Sequence, residues 1–202
     1  MKLFFAPGAC SLAAHILVEE TALPCTLEKV DLATHKTERG EDYTKINPKG
    51  YVPALQLDSG DLLTEVGVVL QYLSDQKKDQ HLMAPAGSLE RYRQMEWLNF
   101  IATEIHKQYS PFFRPDTSAQ TKEQQMKALG RRFGFLSDHL AKQPYLAGQA
   151  FTAPDAYLST VLGWSDHVKI DLGPWPRLTE YLARVRARPA VQRALKSEGL
   201  IK

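Results

Sequence analysis

The sequence predicts an α/β domain followed by an all-helical domain. The first part of the 202 residues mixes short β-like runs with helical patterns, whereas the rest is helical throughout. The two styles meet near residue 80, in the polar stretch QKKDQHLMAPAG at residues 76–87, which is typical of a linker. We therefore predict one domain over residues 1–80 and a second over residues 87–202.

Composition limits the classes of protein to which the chain can belong. With 44% hydrophobic and 24% charged residues, and no apolar run near the roughly 20 residues that a membrane helix needs, we expect a globular protein without a membrane partner. The opening MKLFF lacks the apolar stretch and cleavage site of a secretory signal, so a cytoplasmic location is expected. A formal net charge of +2 is too small to indicate a nucleic-acid partner.

The first three elements of the α/β domain follow a strand, helix, strand order. The apolar run at residues 1–6 is stopped by Pro7 and Gly8, and residues 25–32 form a second run rich in apolar and β-branched side chains. Between them, residues 11–21 carry apolar side chains at helical spacing. This order predicts a βαβ unit.

A hairpin and a helix are predicted to complete the first domain. Residues 52–57 and 61–64 flank the tripeptide Asp-Ser-Gly at residues 58–60, which favours a tight turn between two strands. Residues 66–73 then follow a helical pattern.

The second domain is predicted to consist of helices only. Helical patterns cover residues 88–109, 121–142, 153–168, 175–186 and 190–195. The clearest local signal is a capping box, in which Thr152 caps a helix through its hydroxyl and Asp155 reaches back to the amide of Thr152. The box fixes the start of an apolar helix that we expect in the core of this domain.

Cys10, in the stretch FFAPGACSLA, is the first candidate for chemistry. A lone cysteine is usually a buried structural residue. Cys10, however, is predicted at the first turn of a helix, where free amides and the helix dipole favour a thiolate. The next cysteine, Cys25, is too distant for a CxxC motif, so a reactive Cys10 would need a partner thiol from outside, such as a small-molecule thiol. The two cysteines also lack the spacing of a disulfide framework or a zinc site, and Cys25 is predicted to be packing.

Two further stretches have both a structural and a functional interpretation. In NPKGYVPAL at residues 47–55, a proline can simply open an edge strand. If the bond before Pro53 is cis, the Val52 backbone turns outward and can pair with a peptide-like ligand. Glu65 can be an ordinary helix-start residue, or it can lie beside helix amides that suit an anion.

A polar stripe on the first helix of the second domain is also open to two interpretations. Asn99, Thr103 and His106 are spaced i, i+4 and i+7, which places them on one helix face. That face lies away from the apolar residues Leu98, Ile101 and Ile105. The stripe either faces water or carries a catalytic histidine.

Taken together, these residues carry a resemblance over essentially the whole chain. The matching pieces are PGACSLAAH (7–15), NPKGYVPAL (47–55), LLTE (62–65), EWLNFIATEIHK (96–107), FRPDT (113–117) and FTAPDAYL (151–158). The chain resembles a bacterial glutathione S-transferase of the beta class. The resemblance implies a thioredoxin-like N-terminal domain, an all-helical C-terminal domain and a homodimer.

The resemblance also implies where glutathione binds in the first domain. Cys10 would face the glutathione sulfur and form a mixed disulfide with it, while Val52, before a cis Pro53, would pair with the cysteinyl part. Glu65 and Val66 would hold the γ-glutamyl end, although Val66 lacks the hydroxyl of the serine that is common in the family.

A second departure from the family lies at residue 35. His35 takes the place of a lysine near the glycyl carboxylate, and because histidine is mostly neutral at pH 7, Lys36 is an alternative partner.

From the second domain, the resemblance implies a further set of glutathione-binding residues: Asn99, Thr103, Glu104, Ile105 and His106. His106 is expected to be catalytic, orienting the glutathione sulfur or accepting its proton. A hydrophobic electrophile is expected between the domains, in contact with the helix that carries His106 and with Trp164, unless Trp164 is core.

The predicted function is conjugation of reduced glutathione to electrophilic small molecules, with cysteine-dependent thiol-disulfide exchange at the same site. Glutathione is a co-substrate, and no prosthetic group or metal is expected. Alternatives are a glutathione-dependent thioltransferase, dehalogenase or isomerase, and a non-catalytic interaction protein of the same fold.

Overall fold

The computed structural model describes residues 1–202, which form two compact units. The first unit comprises Met1–Met83 together with Arg188–Lys202, and the second comprises Ala84–Ala187. The prediction assigned everything after residue 87 to the helical domain, whereas residues 188–202 belong with the first unit.

A five-stranded mixed sheet forms the centre of the first unit. Its strands are β1 (Lys2–Phe5), β2 (Thr26–Asp31), β3 (Lys36–Thr37), β4 (Ala54–Gln56) and β5 (Leu62–Thr64). They lie in the order β3-β2-β1-β4-β5, with β1 parallel to β2 and the other neighbours antiparallel. In the central strand, Leu3 pairs with Leu27 on one side and with Leu55 on the other. The βαβ unit and the hairpin are both present.

Four α-helices accompany the sheet: α1 (Leu12–Thr21), α2 (Tyr43–Ile46), α3 (Val66–Gln76) and α9 (Pro189–Ser197). This mixed sheet with its helices confirms the thioredoxin-like fold of the N-terminal domain. The elements β3 and α2 were not predicted. They are two and four residues long, too short for a periodic pattern, and tertiary hydrogen bonds such as that from the Tyr43 amide to the His35 carbonyl (2.9 Å) hold them.

Long-range polar contacts join α9 and the residue after it to the rest of the first unit. Glu198, with a fully buried side chain, lies 2.8 Å from the Nδ1 of buried His15 and accepts a hydrogen bond of 2.8 Å from the Gly8 amide. Outside this buried pair, Arg188 and Arg193 bind carboxylates at the end of α1, Glu20 and Glu19. These contacts join residues more than 160 positions apart, so no local pattern in the sequence reveals them.

The second unit is helical, as predicted. Its helices are α4 (Leu89–Phe100), α5 (Lys107–Phe113), α6 (Ala119–Leu140), α7 (Ala153–Val168) and α8 (Pro176–Arg186), with a π-helical segment (Ile101–His106) between α4 and α5. The predicted single helix over residues 88–109 is therefore interrupted by a wider turn.

The capping box at the start of α7 is present. The carboxylate of Asp155 accepts hydrogen bonds from the amide and hydroxyl of Thr152, both at 2.8 Å. It also accepts a bond of 2.9 Å from the Leu146 amide and one of 3.0 Å from the Tyr181 hydroxyl. Because Asp155 is completely buried, the box ties α7 to α8 and to the preceding loop as well as capping the helix.

Two global features bear on function. No helix is both long enough and apolar enough to span a membrane. No group of three or more His, Cys, Asp or Glu side chains is arranged to hold a metal ion.

Candidate functional site

Cys10 lies directly against the backbone of Val52. The chain between β1 and α1 turns at Gly8, which has a φ of +72°, and Cys10 follows two residues later, just before the N-cap residue Ser11. The half-buried Cys10 thiol donates a hydrogen bond of 3.1 Å to the Val52 carbonyl. The structure thus brings together two residues that sequence reasoning had connected only through the resemblance.

Val52 and Pro53 lie directly before β4. Both residues are buried, and the peptide bond between them is cis, as the resemblance implied. Val52 packs in a core cluster with Phe4, Tyr43 and Ala54. Its side chain therefore faces inward, while its carbonyl is turned toward Cys10.

Glu65 lies in an unusual backbone conformation at the start of α3. Its φ of +70° is in a region that non-glycine residues rarely adopt, and such conformations are concentrated at functional sites. The exposed Glu65 carboxylate accepts a hydrogen bond of 2.7 Å from the Lys49 ammonium group, which also donates to the Thr64 hydroxyl at 3.0 Å. Val66 is buried as the first residue of the helix. Sequence reasoning did not select Lys49, because a lysine in a polar loop carries no signal.

His35 lies in the connection between β2 and β3, beside the loop that carries Val52. Its φ is +52°, its side chain is exposed, and its ring faces Gly50: a Cβ added to Gly50 would be 3.0 Å from the His35 Cε1. Lys36 is exposed in β3. His35 and Lys36 thus lie next to each other in the chain, at the edge of the sheet that β3 forms.

The predicted polar stripe of the second unit is interrupted. Asn99 and Thr103 are exposed, but His106 is half-buried. The prediction assumed an α-helical repeat, whereas the i→i+5 bonds of the π-helical segment add a residue to the turn and shift the following side chains around the axis. His106 therefore leaves the stripe and points into the unit.

Two of the predicted glutathione-binding side chains have partners inside the second unit, and a third is buried there. Thr103 donates its hydroxyl to the Asn99 carbonyl at 3.0 Å. Glu104 forms an ion pair with Arg132, whose Nε donates at 3.0 Å. Ile105 is fully buried. A role of these residues in glutathione binding stays a prediction.

His106 is held by two aromatic residues of α7. Its Nδ1 is 2.7 Å from the hydroxyl of buried Tyr157, and its ring meets Trp164 edge-on with a centroid distance of 4.8 Å. Burial, and to a lesser degree the charge of Lys107, lowers the pKa of His106 from 6.5 to about 4. At neutral pH the imidazole is therefore uncharged and has one nitrogen able to accept a proton.

Trp164 is the centre of a cluster of rings. Tyr109, with a centroid distance of 5.7 Å, and Phe113, at 5.4 Å, both meet it edge-on. Phe113, which is 46% exposed, also stacks on His167 at 5.9 Å. A partly exposed cluster of this kind can stack an aromatic molecule next to His106.

The buried His106 makes stability depend on pH in a defined window. Because the folded pKa of about 4 lies below the unfolded value of 6.5, the unfolded chain binds the proton more readily. The contribution of neutral His106 to the free energy of unfolding should be fully present above pH 6.5. It should fall by up to about 3 kcal/mol as the pH drops toward 4. We expect His106→Gln to weaken the dependence of the free energy of unfolding on pH, measured by urea unfolding between pH 7 and pH 4. Exposed His81→Gln is the matched control and should leave the slope unchanged; an equal slope in His106→Gln would contradict the assignment.

Comparison with known proteins gives matches to both parts of the chain. Residues 8–76 match the model described as glutathione S-transferase, N-terminal domain, and residues 100–189 match the model for the C-terminal domain. A glutathione S-transferase of Escherichia coli O157:H7 is 46% identical over 200 residues, covering 99% of this chain and 100% of the relative.

Solved structures give the same result. A beta-class glutathione S-transferase of Sphingomonas chungbukensis has a TM-score of 0.96 at 46% identity, and a sphingomonad glutathione S-transferase complexed with glutathione has a TM-score of 0.96 at 45% identity. Each match covers 100% of both chains.

Proposed function

This chain belongs to the glutathione S-transferase family and is a transferase enzyme, and from that premise we propose which of its residues carry the reaction. The observation on which the proposal rests is the bond between the Cys10 thiol and the Val52 carbonyl. The bond brings the Cys10 thiol against the Val52 backbone, which the resemblance implies would pair with the cysteinyl part of glutathione. The 45% identical sphingomonad enzyme was solved with glutathione bound, which supports glutathione as the substrate here.

In the proposed complex, glutathione lies along the first unit. The ammonium group of its γ-glutamyl end meets the Glu65 carboxylate. The carboxylate of the same end meets the free amides at the start of α3, where an anion is favoured. Its cysteinyl part pairs with the Val52 backbone, which brings its sulfur close to Cys10 and to the start of α1. Lys36 supplies a positive partner for the glycyl carboxylate, or His35 donates a hydrogen bond to it.

The chemistry follows from the thiol. The positive end of α1 stabilises a glutathione thiolate. His106 is proposed to orient the glutathione sulfur rather than to hold its proton, because a pKa of about 4 makes the imidazole a weak base at neutral pH, and the thiol proton passes to solvent. With an aryl chloride, the thiolate forms a carbon–sulfur bond, and chloride then leaves with the bonding electrons. The rings around Trp164 are proposed to supply the aromatic surface for such a hydrophobic electrophile.

Cys10 supports a second reaction at the same site. Its thiolate can attack the glutathione sulfur of a mixed disulfide between glutathione and another thiol, forming a Cys10–glutathione disulfide and releasing the other thiol as its thiolate. A glutathione thiolate then attacks the glutathione sulfur of that disulfide, which releases the Cys10 thiolate and forms glutathione disulfide, so the mixed disulfide is reduced while the added glutathione is oxidised. Comparing turnover of a mixed disulfide with that of a chlorodinitrobenzene-type electrophile shows whether conjugation or thiol transfer dominates. Dehalogenase and isomerase activities remain alternative reactions of this site.

A homodimer and a cytoplasmic location also belong to the proposal. On the outer face of α4, Leu89 is 64% and Tyr92 55% exposed, and they line a cavity of about 340 Å³. A second copy of the chain would cover these apolar side chains. Sedimentation velocity distinguishes the proposed dimer from a monomer.

The test of the site is calorimetric titration of the purified protein with glutathione. We expect saturable binding to the wild type and about tenfold weaker binding to Glu65→Gln, because a charge-assisted contact is lost. The matched control is Glu41→Gln, at an exposed carboxylate of the same unit, which should bind like the wild type. Equal affinities for all three proteins would remove Glu65 from the site.

A further inference from the structure

The carbonyl of Tyr51, directly before Val52, is held by two buried side chains. It accepts a hydrogen bond of 2.7 Å from the Tyr43 hydroxyl and another of 2.7 Å from the Asn47 side-chain amide. Tyr43 is fully buried and Asn47 is 1% exposed, whereas the Tyr51 side chain is 68% exposed. The loop at residues 47–52 is thus held to the core through the Tyr51 carbonyl, although the Tyr51 side chain is in water.

Asn47 also shapes the turn that leads to Val52. Its side-chain oxygen accepts a hydrogen bond of 3.2 Å from the Lys49 amide, and its carbonyl accepts one of 2.9 Å from the amide of Gly50. Gly50 has a φ of +69°, which a side chain would oppose. The buried Asn47 side chain therefore fixes both the turn and the direction in which the chain continues to Val52.

The same turn connects Asn47 to the other end of the proposed glutathione site. Lys49, whose amide Asn47 holds, extends its ammonium group to the Glu65 carboxylate at 2.7 Å. The buried pair Tyr43 and Asn47 thus lies beneath two contacts proposed for glutathione, the Val52 backbone and the Glu65 carboxylate.

Packing alone does not account for the Tyr43 hydroxyl. The Tyr43 ring packs against Phe4, with a centroid distance of 5.5 Å, and belongs to the same core cluster as Val30 and Ala54. A phenylalanine ring would fill the same space, and burying a hydroxyl has a desolvation cost that its hydrogen bonds must offset. What the hydroxyl adds is control over the orientation of the Tyr51 carbonyl, and hence of the next peptide.

We propose that Tyr43 and Asn47 are positioning residues for glutathione: by holding the Tyr51 carbonyl and the turn at residues 47–50, they orient the Val52 backbone and the Lys49–Glu65 pair toward the tripeptide. This inference rests on the proposed function of the site. Neither residue touches glutathione, so their effect acts through the loop.

The test compares two Tyr→Phe variants, each of which removes one buried hydroxyl. Tyr43→Phe should raise the KM and the Kd for glutathione about 2- to 10-fold, the range for one lost hydrogen bond. Its kcat at saturating glutathione and its KM for the electrophile should stay within about twofold of the wild type. Tyr181→Phe, which loses a buried hydroxyl bond to Asp155 in the second unit, should lower the melting temperature and leave the KM for glutathione unchanged.

Further variants separate the effect on the Tyr51 carbonyl from the effect on the Lys49–Glu65 pair. Asn47→Ala should raise the KM for glutathione more than Tyr43→Phe does, and Lys49→Met should reproduce only the part that acts through Glu65. If Tyr43→Phe lowers the melting temperature but keeps the wild-type KM, the residues are merely structural and the inference is wrong. If the wild type itself does not bind glutathione in the calorimeter, the proposed function fails, and that result is distinct from a failure of the inference about Tyr43 and Asn47.

Discussion

Replacing Cys10 with alanine is expected to abolish the adduct that the protein forms when it is incubated with oxidised glutathione. Cys10 lies just before the N-cap residue of α1 and against the Val52 backbone, where the tripeptide is proposed to bind, so its thiolate is the one expected to attack the disulfide. Intact mass measurement should show one glutathione added to the wild type and none added to Cys10→Ala.

Cys25 is the control for this experiment. Burial raises the pKa of the Cys25 thiol, which disfavours its thiolate. We therefore expect Cys25→Ala to retain the full adduct. An adduct that persists in Cys10→Ala, or disappears in Cys25→Ala, would contradict the assignment of the reactive cysteine.

Conjugation should respond less than the adduct to the loss of Cys10. In that reaction the nucleophile is the sulfur of glutathione, and the amides at the start of α1 remain in the variant. A complete loss of conjugation in Cys10→Ala, with glutathione binding intact, would show that Cys10 takes part in the transfer step itself.

Replacing Asp155 with alanine should give the largest loss of stability, about 4 kcal/mol. The buried carboxylate accepts hydrogen bonds from the Leu146 amide, from the amide and hydroxyl of Thr152 and from the Tyr181 hydroxyl. Its removal takes the acceptor from the Leu146 amide and from the amide and hydroxyl of Thr152, leaves the Tyr181 hydroxyl only its bond of 3.2 Å to the backbone carbonyl of residue 155, and opens a space at the start of α7. Urea unfolding at pH 7 measures the change in the free energy of unfolding.

The matched control is Asp138→Ala, at an exposed position in α6. Alanine is the better helix former, so this change should be neutral or slightly stabilising. Asp155→Asn should recover part of the loss, because an amide oxygen can still accept some of the bonds. A cost below about 1 kcal/mol for Asp155→Ala would show that the capping box is not central to the second unit.

Periodic elements could be predicted from the sequence, and elements held by tertiary contacts could not. The strands around residues 3 and 28 and the long helices have their own apolar periodicity, so their types are confirmed by the structure. By contrast, α2 has four residues, and the attachment of α9 depends on the distant pair of Glu198 with His15. Nothing local in the sequence encodes those contacts.

The site shows the same division. Cys10, Val52 and Glu65 could be selected because each occupies a position with its own backbone chemistry: before a helix, before a proline or at a helix start. Their supports could not, since Asn47, Tyr43 and Lys49 act through a folded turn. The position of His106 was mistaken for part of a regular polar stripe because a π-helical turn has no reliable signal in the sequence.

The most direct test of the central claim is the rate of thioether formation from glutathione and a chlorodinitrobenzene-type electrophile, with and without the purified protein. The proposed function predicts catalysis that saturates with glutathione, is weakened by Glu65→Gln through its KM for glutathione, and is unaffected by Glu41→Gln. A rate no faster than the uncatalysed reaction, despite saturable glutathione binding, would contradict conjugation of such electrophiles and leave thiol-disulfide exchange at Cys10 as the reaction of this site.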